Sequence, residues 1–284
     1  MRRLFFTSLV VIAAACSPVE VVDVDAIDTE LPAPGDSDSD APADTDETDP
    51  PVLSEYPGGR YIVTHLNILG PNLGLDLDGD STPDNNLPNL LVAADVALDG
   101  GGFYRPTAVN ERIDLLIEAE ATIVLLDVTH VDGVLEIAIL RAARDTEGNL
   151  VVLAENYDET GEPIQKFVGA FRNEIRFEAG PGQITLPFQF DEDTAPLEIT
   201  AVDARIGGDL DVFTFDGALA GAFPTEIVLE QVVRPLVVDN LPPAEVDDTM
   251  DLIETVILAA SDLQYGGEPA LSGAFSVRAE AVTW

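Results

Sequence analysis

From residue 122 to residue 223 the apolar side chains recur at nearly every second position, and this period limits the fold more than any other feature of the chain. Alternation places one set of side chains on a buried face and the other in solvent, which is the pattern of a half-buried strand. Residues 122–131 and 134–144 are two mostly apolar runs joined by Asp132-Gly133, a dipeptide suited to the left-handed torsions of a two-residue hairpin turn. Residues 150–156 form a further short strand. The run 164–177 reads as one continuous strand, with Phe167, Phe171, Ile175 and Phe177 opposite Lys166, Arg172, Glu174 and Arg176. Ile184, Leu186, Phe188 and Phe190 repeat the pattern, and Pro187 places that strand at an edge or a bulge. Residues 197–206, 212–223 and 274–284 continue it. The cationic row Lys166, Arg172 and Arg176 is expected to pair with acidic neighbours across the sheet.

Helical spacing appears on either side of this region. Residues 86–98 carry Leu90, Leu91 and Ala94 at helical intervals, with Pro88 acceptable only in a first turn. Gly100-Gly101-Gly102 ends that segment. Thr107 or Asn110 is placed to cap a second helix bearing Ile113, Leu116, Ile117 and Glu120 on one stripe. Residues 225–233 fit helix and strand equally, and a helix opening at Asp247-Asp248-Thr249 is stopped by Gly266-Gly267. Residues 61–69 form a first strand. The predicted fold is a mainly β, antiparallel, sandwich-like domain over residues 57–284 with a few accessory helices.

The most chemically specific stretch is residues 76–86, Asp-Leu-Asp-Gly-Asp-Ser-Thr-Pro-Asp-Asn-Asn. A loop that wraps a hard cation turns oxygen ligands inward at its first, third, fifth and ninth places and offers a backbone carbonyl at the seventh. That assigns Asp76, Asp78, Asp80 and Asp84, with the carbonyl of Thr82, as ligands for Ca²⁺. Two positions depart from the pattern: the sixth, usually glycine, is Ser81, and the twelfth, usually a bidentate carboxylate, is Leu87. Water or an outside carboxylate, Asp95 or Asp99, is expected to complete the shell. The loop resembles the Asp-x-Asp-Gly-Asp loops of thrombospondin type 3 repeats and the EF-hand-like loops of dockerins, over about eleven residues. As a single loop it implies a fixed clip rather than a switch, since metal affinity adds to folding free energy.

Met1-Arg2-Arg3, the apolar run to Ile12 and Ala13-Ala14-Ala15-Cys16 have the layout of a signal peptide over residues 1–15, too short to span a bilayer. The small residues before Cys16 resemble the lipobox of bacterial lipoproteins, with Ala13 where leucine is usual. The resemblance implies a lipidated Cys16, export, and anchoring at a bacterial outer membrane or cell surface. From Glu20 to Asp49 twelve acidic residues occur with no Lys or Arg, so residues 16–56 are expected to be a disordered, self-repelling tether. The order of leader, acidic tether, strand, aspartate loop and long β region is similar to that of uncharacterised secreted bacterial lipoproteins carrying one such loop.

Charge excludes one class of partner. The chain carries 53 acidic against 13 basic residues, with Lys166 its single lysine, so a polyphosphate would be repelled and no nucleic acid is expected. Cys16 is the only cysteine, and a disulfide within the chain is impossible. His65 and His130 are the only histidines and lie in strands, and no nucleophile motif, phosphate loop or dinucleotide fingerprint is present. The expected function is therefore non-catalytic: a binding or structural role toward an envelope protein or extracellular glycan. An enzyme acting on polysaccharide from a β-sandwich is the alternative.

Overall fold

In this computed structural model, residues 58–97, 101–102, 104–188 and 197–282 are described. The leader, Cys16 and the tether lie outside the described residues. The strands are β1 (Gly59–Ile68), β2 (Ile123–Val131), β3 (Val134–Arg144), β4 (Leu150–Val152), β5 (Lys166–Phe171), β6 (Arg176–Phe188), β7 (Leu197–Leu210), β8 (Thr214–Pro224), β9 (Leu263–Tyr265) and β10 (Glu268–Ala281). Consecutive strands pair antiparallel in the order β1-β2-β3-β5-β6-β7-β8-β10, and β10 then pairs with β1. The sheet thus closes on itself as an eight-stranded up-and-down barrel, where a sandwich was expected. Closure leaves no free edge along this path, which is why Pro187 sits near the end of β6, paired with Glu198 of β7, and not on an edge strand. β4 and β9 are short side ribbons on β3 and β10.

The predicted Asp132-Gly133 hairpin is present, with φ of 53° and 80° at the two residues. The run 164–177 is not one strand but two, β5 and β6. Asn173 ends the first by accepting the backbone N–H groups of Ile175 (3.2 Å) and Arg176 (2.9 Å). Phe171 and Phe177 face each other across this turn because the number of residues between them preserves the alternation.

Large inward side chains lie over inward glycines. A Cβ on Gly182 would stand 2.9 Å from the ring of Phe167, and one on Gly217 would stand 2.7 Å from that of Phe215. Glycine at these strand positions leaves room for Phe167 and Phe215, which like Tyr61 and Phe177 are nearly fully buried. The outer wall is charged: Arg60 pairs with Asp127, Arg278 with Asp216, and Lys166 with Glu136 and Glu162. Arg172 reaches Glu178 at 3.0 Å, so two of the three predicted cross-sheet cations find acidic partners; among the described ion pairs Arg176 has none.

The tight turns β2–β3, β5–β6 and β7–β8 close one end of the barrel, and the helices lie in the connections at the other. These are α1 (Leu87–Ala97), α2 (Pro106–Glu118), a continuous helical run made of α3 (Thr225–Val228), a π-helical turn (Leu229–Val233) and α4 (Arg234–Asn240), and α5 (Pro243–Ala260). Neither Thr107 nor Asn110 caps α2. Arg105 occupies that position without a side-chain cap, and Asn110 instead bonds both backbone groups of Ile68. Pairing of β1 with β2 stops at Ile62–Leu125, and β1 bulges between Val63 and His65. α2 fills the split, with Ile113, Leu116 and Ile117 over a cavity of about 50 Å³ shared with Val63, Leu66 and Val124. A hollow of that size costs about 1 kcal/mol of packing.

Candidate metal centre

The aspartate loop leaves the top of β1 and returns to the barrel at Asn85-Asn86, beside β10. β1 ends opposite Phe275, so the next N–H of β10, that of Ala274, has lost its strand partner. Asn85 replaces it. Its Oδ1 accepts the Ala274 N–H at 3.0 Å, while its Nδ2 donates to the carbonyls of Leu69 and Gly70, both at 2.9 Å. Asn86 then donates its N–H to Oγ of Ser272 at 2.8 Å and to its carbonyl at 3.2 Å. One buried asparagine thereby ties together the two ends of the loop and the strand on which the loop rests. Gly74, at φ 137°, lets the loop lie flat there, since a Cβ at that position would come 2.5 Å from Cβ of Ala274.

Inside the loop Asp76, Asp78 and Asp84 each bring one carboxylate oxygen within 4.8 Å of the others. Oxygen ligands stand about 2.3–2.6 Å from Ca²⁺, so ligands on opposite sides of one ion are separated by roughly this distance. Backbone N–H groups organise the acids: Asp76 accepts from Gly79 (2.6 Å) and Ser81 (2.9 Å), and Asp84 accepts from Leu77 (2.6 Å) and Asp78 (3.3 Å). The N–H of Gly79 is the largest cause holding the Asp76 carboxyl below its ordinary range, aided by Ser81 and by the nearby charge of Arg205. Burial pushes Asp84 the other way, and the charges of Asp78 and Asp262 add to that rise against the pull of the two N–H groups. Arg205 of β7 also donates to the Asp76 carbonyl at 3.1 Å, fastening the loop to the barrel wall.

Of the four predicted carboxylate ligands, Asp80 stands outside the converging set. The Asp80 carboxylate accepts the N–H of Thr82 at 2.7 Å, and the N–H of Asp80 donates to the Asp78 carboxylate at 3.0 Å. Asp95 does not complete the shell. It is buried at the C-terminal part of α1, where it accepts the N–H groups of Gly102 and Tyr104 and the Nε of Arg105. Asp99 and Cys16 lie outside the described residues. The two departures from the loop pattern have local explanations. Ser81 adopts φ 75°, the left-handed conformation for which glycine is usual, and Leu87 is the first residue of α1, buried in the core beneath the loop.

Sequence reasoning missed Asp262 and the part played by Asn85. Asp262 accepts the N–H and Oγ–H of Ser272 (2.8 and 2.5 Å), and its charge reaches Asp84. No local pattern links it to the loop; the connection exists only because β10 runs beside both. The histidines are placed in structural settings: Nδ1 of His65 lies 3.4 Å from Asp114 of α2, and His130 packs edge-on against Phe171 at 5.4 Å. No protein-family model, no curated protein and no solved structure matches the chain.

Proposed function

We propose that the protein is an exported, lipid-anchored component of a bacterial outer membrane or cell surface, in which Ca²⁺ clips the barrel and the folded part serves a non-catalytic binding or structural role. The observation that carries the metal reading is the convergence of Asp76, Asp78 and Asp84 in a loop fastened across the junction of β1 and β10. An ion there would neutralise acids that otherwise repel one another beside the barrel's closing seam, so binding energy would add to the stability of the closed form. The lipobox-like Ala13-Ala14-Ala15-Cys16 and the acidic tether support anchoring. For the polysaccharide-acting alternative, Tyr61, Phe167, Phe177 and Phe215 are buried in the barrel core and offer no outer strip to a glycan.

The test is a thermal melt of wild type and Asp78→Asn, each in calcium and in chelator. Calcium at about 100 times its Kd should stabilise the wild type by about 2.7 kcal/mol, and the variant should lose most of that gain. Equal melting in all four samples would remove the metal. Mass spectrometry of the mature N-terminus tests the anchor: an acylated Cys16 is expected, and an unmodified one overturns it.

A further inference from the structure

Apart from the aspartate loop, the helical end of the barrel carries an open cleft of about 690 Å³ between the run that begins with α3, helix α5 and the β9–β10 hairpin. That volume lies within the range of ligand sites. Its lining is of two kinds. Leu229 and Met250 are buried and form an apolar floor, while Leu258 and Tyr265 stand exposed on its wall. Glu226, Asp247, Asp251, Glu254 and Glu268 surround that floor with carboxylates from three separate elements.

On an already acidic chain, the cleft is distinctive in gathering carboxylates around an apolar floor. On the barrel wall several acids are matched by cations, as in Arg60–Asp127 and Arg278–Asp216, although Asp203, Asp209 and Glu280 form none of the described ion pairs. In the cleft the single lining cation, Arg234, is held by both oxygens of Glu230 at 2.7 Å, and the other five acids form none of the described ion pairs. On α5, Asp247, Met250, Asp251, Glu254 and Leu258 fall on one helical stripe, so like charges stack at three- and four-residue intervals beside exposed apolar groups. Such stacking weakens a helix in isolation. The π-helical turn Leu229–Val233 forms part of the same wall, and turns of this kind occur frequently at functional sites.

We propose that this cleft binds a basic, amphipathic polypeptide segment, with Lys or Arg side chains on the carboxylates and a bulky apolar side chain on the Leu229–Met250 floor. The complementarity is both electrostatic and apolar. A lone divalent cation does not fit the observations, because among the described residues only Asp76, Asp78 and Asp84 bring carboxylates close enough to share an ion. A small polyamine would satisfy the acids but supplies no side chain for the floor. The inference goes beyond the calcium reading and stands or falls without it.

The experiment measures binding of a labelled peptide of alternating lysine and leucine to the full chain by fluorescence anisotropy, with spermine as a second probe. A cleft variant, Asp251→Asn/Glu254→Gln/Glu268→Gln, is compared with a control, Asp132→Asn/Glu147→Gln/Glu159→Gln, that removes the same charge from distant exposed turns. The cleft variant should bind the peptide at least tenfold more weakly and the control less than twofold. Leu258→Ser and Tyr265→Ser, both at exposed positions, should each weaken the peptide threefold or more and leave spermine unchanged. Equal losses from the two charge variants would reduce the effect to the general field of an acidic protein and overturn the proposal. So would peptide binding indifferent to both apolar substitutions, which would leave a polycation as the occupant.

Discussion

Ser81 is the residue with a Cβ that turns through left-handed torsions in the aspartate loop, at φ 75°, two places after Gly79 at φ 87°. For a residue with a Cβ that conformation costs on the order of 1 kcal/mol or more. Ser81→Gly should remove the strain and raise calcium affinity severalfold in a calorimetric titration; an unchanged or weaker affinity would mean that the serine serves the loop in another way. Asp84 sets the acid limit of the same site. Its folded pKa lies above the ordinary carboxylate value, burial being the main cause, so the metal-free fold gains relative stability as pH falls to the unfolded value and loses it as pH rises through the folded one. The metal needs the ionised form, which reverses the sign for the bound state. The calcium-induced rise in Tm should therefore shrink on acidification while ordinary carboxylates are still charged, and a rise that persists unchanged to pH 4 would exclude Asp84 as a ligand. The aspartates were legible in the sequence because ligand spacing is local. Asp262 and Arg205 were not, since each reaches the loop only through the sheet.

At the scale of elements the junction of β1 and β10 is the point of interest. β1 is shorter than its partner, and Asn85 continues the pairing after it ends by serving the N–H of Ala274 and the carbonyls of Leu69 and Gly70. Asn85→Ala would leave these buried groups without that partner, at a cost of about 2–4 kcal/mol. Urea denaturation in calcium should show this loss, and one below about 0.5 kcal/mol would mean that the loop is held by other contacts. The strands themselves were readable, because alternation and the Asp132-Gly133 turn are local signals. Their closure was not: the same inward and outward alternation serves two packed sheets or one closed sheet, and the deciding pair, β1 with β10, joins opposite ends of the folded chain. The split of 164–177 was missed for a related reason. The turn at Asn173 falls where the apolar rhythm continues on both sides.

Over the whole molecule, roughly thirty net negative charges remain on the part that follows the tether, and they repel one another in the folded state. The wall ion pairs offset little of this, since exposed pairs contribute about 0–1 kcal/mol each. In chelator the melting temperature should accordingly rise as sodium chloride is increased from about 0.01 M to about 1 M, over which the screening length falls from ~30 Å to ~3 Å. On the proposed reading calcium would act on the same repulsion in a different way. As a diffuse counterion it would be replaced by sodium, and the melting curves in calcium and in chelator would merge at high salt. As an ion held by Asp76, Asp78 and Asp84 at about 2.4 Å it is screened far less than charges spread over the surface. The gap between the two curves should therefore narrow with salt but remain open at about 1 M, and should be absent throughout for Asp78→Asn. Complete merging in the wild type would leave the acidic surface as the whole cause and the loop without a bound ion.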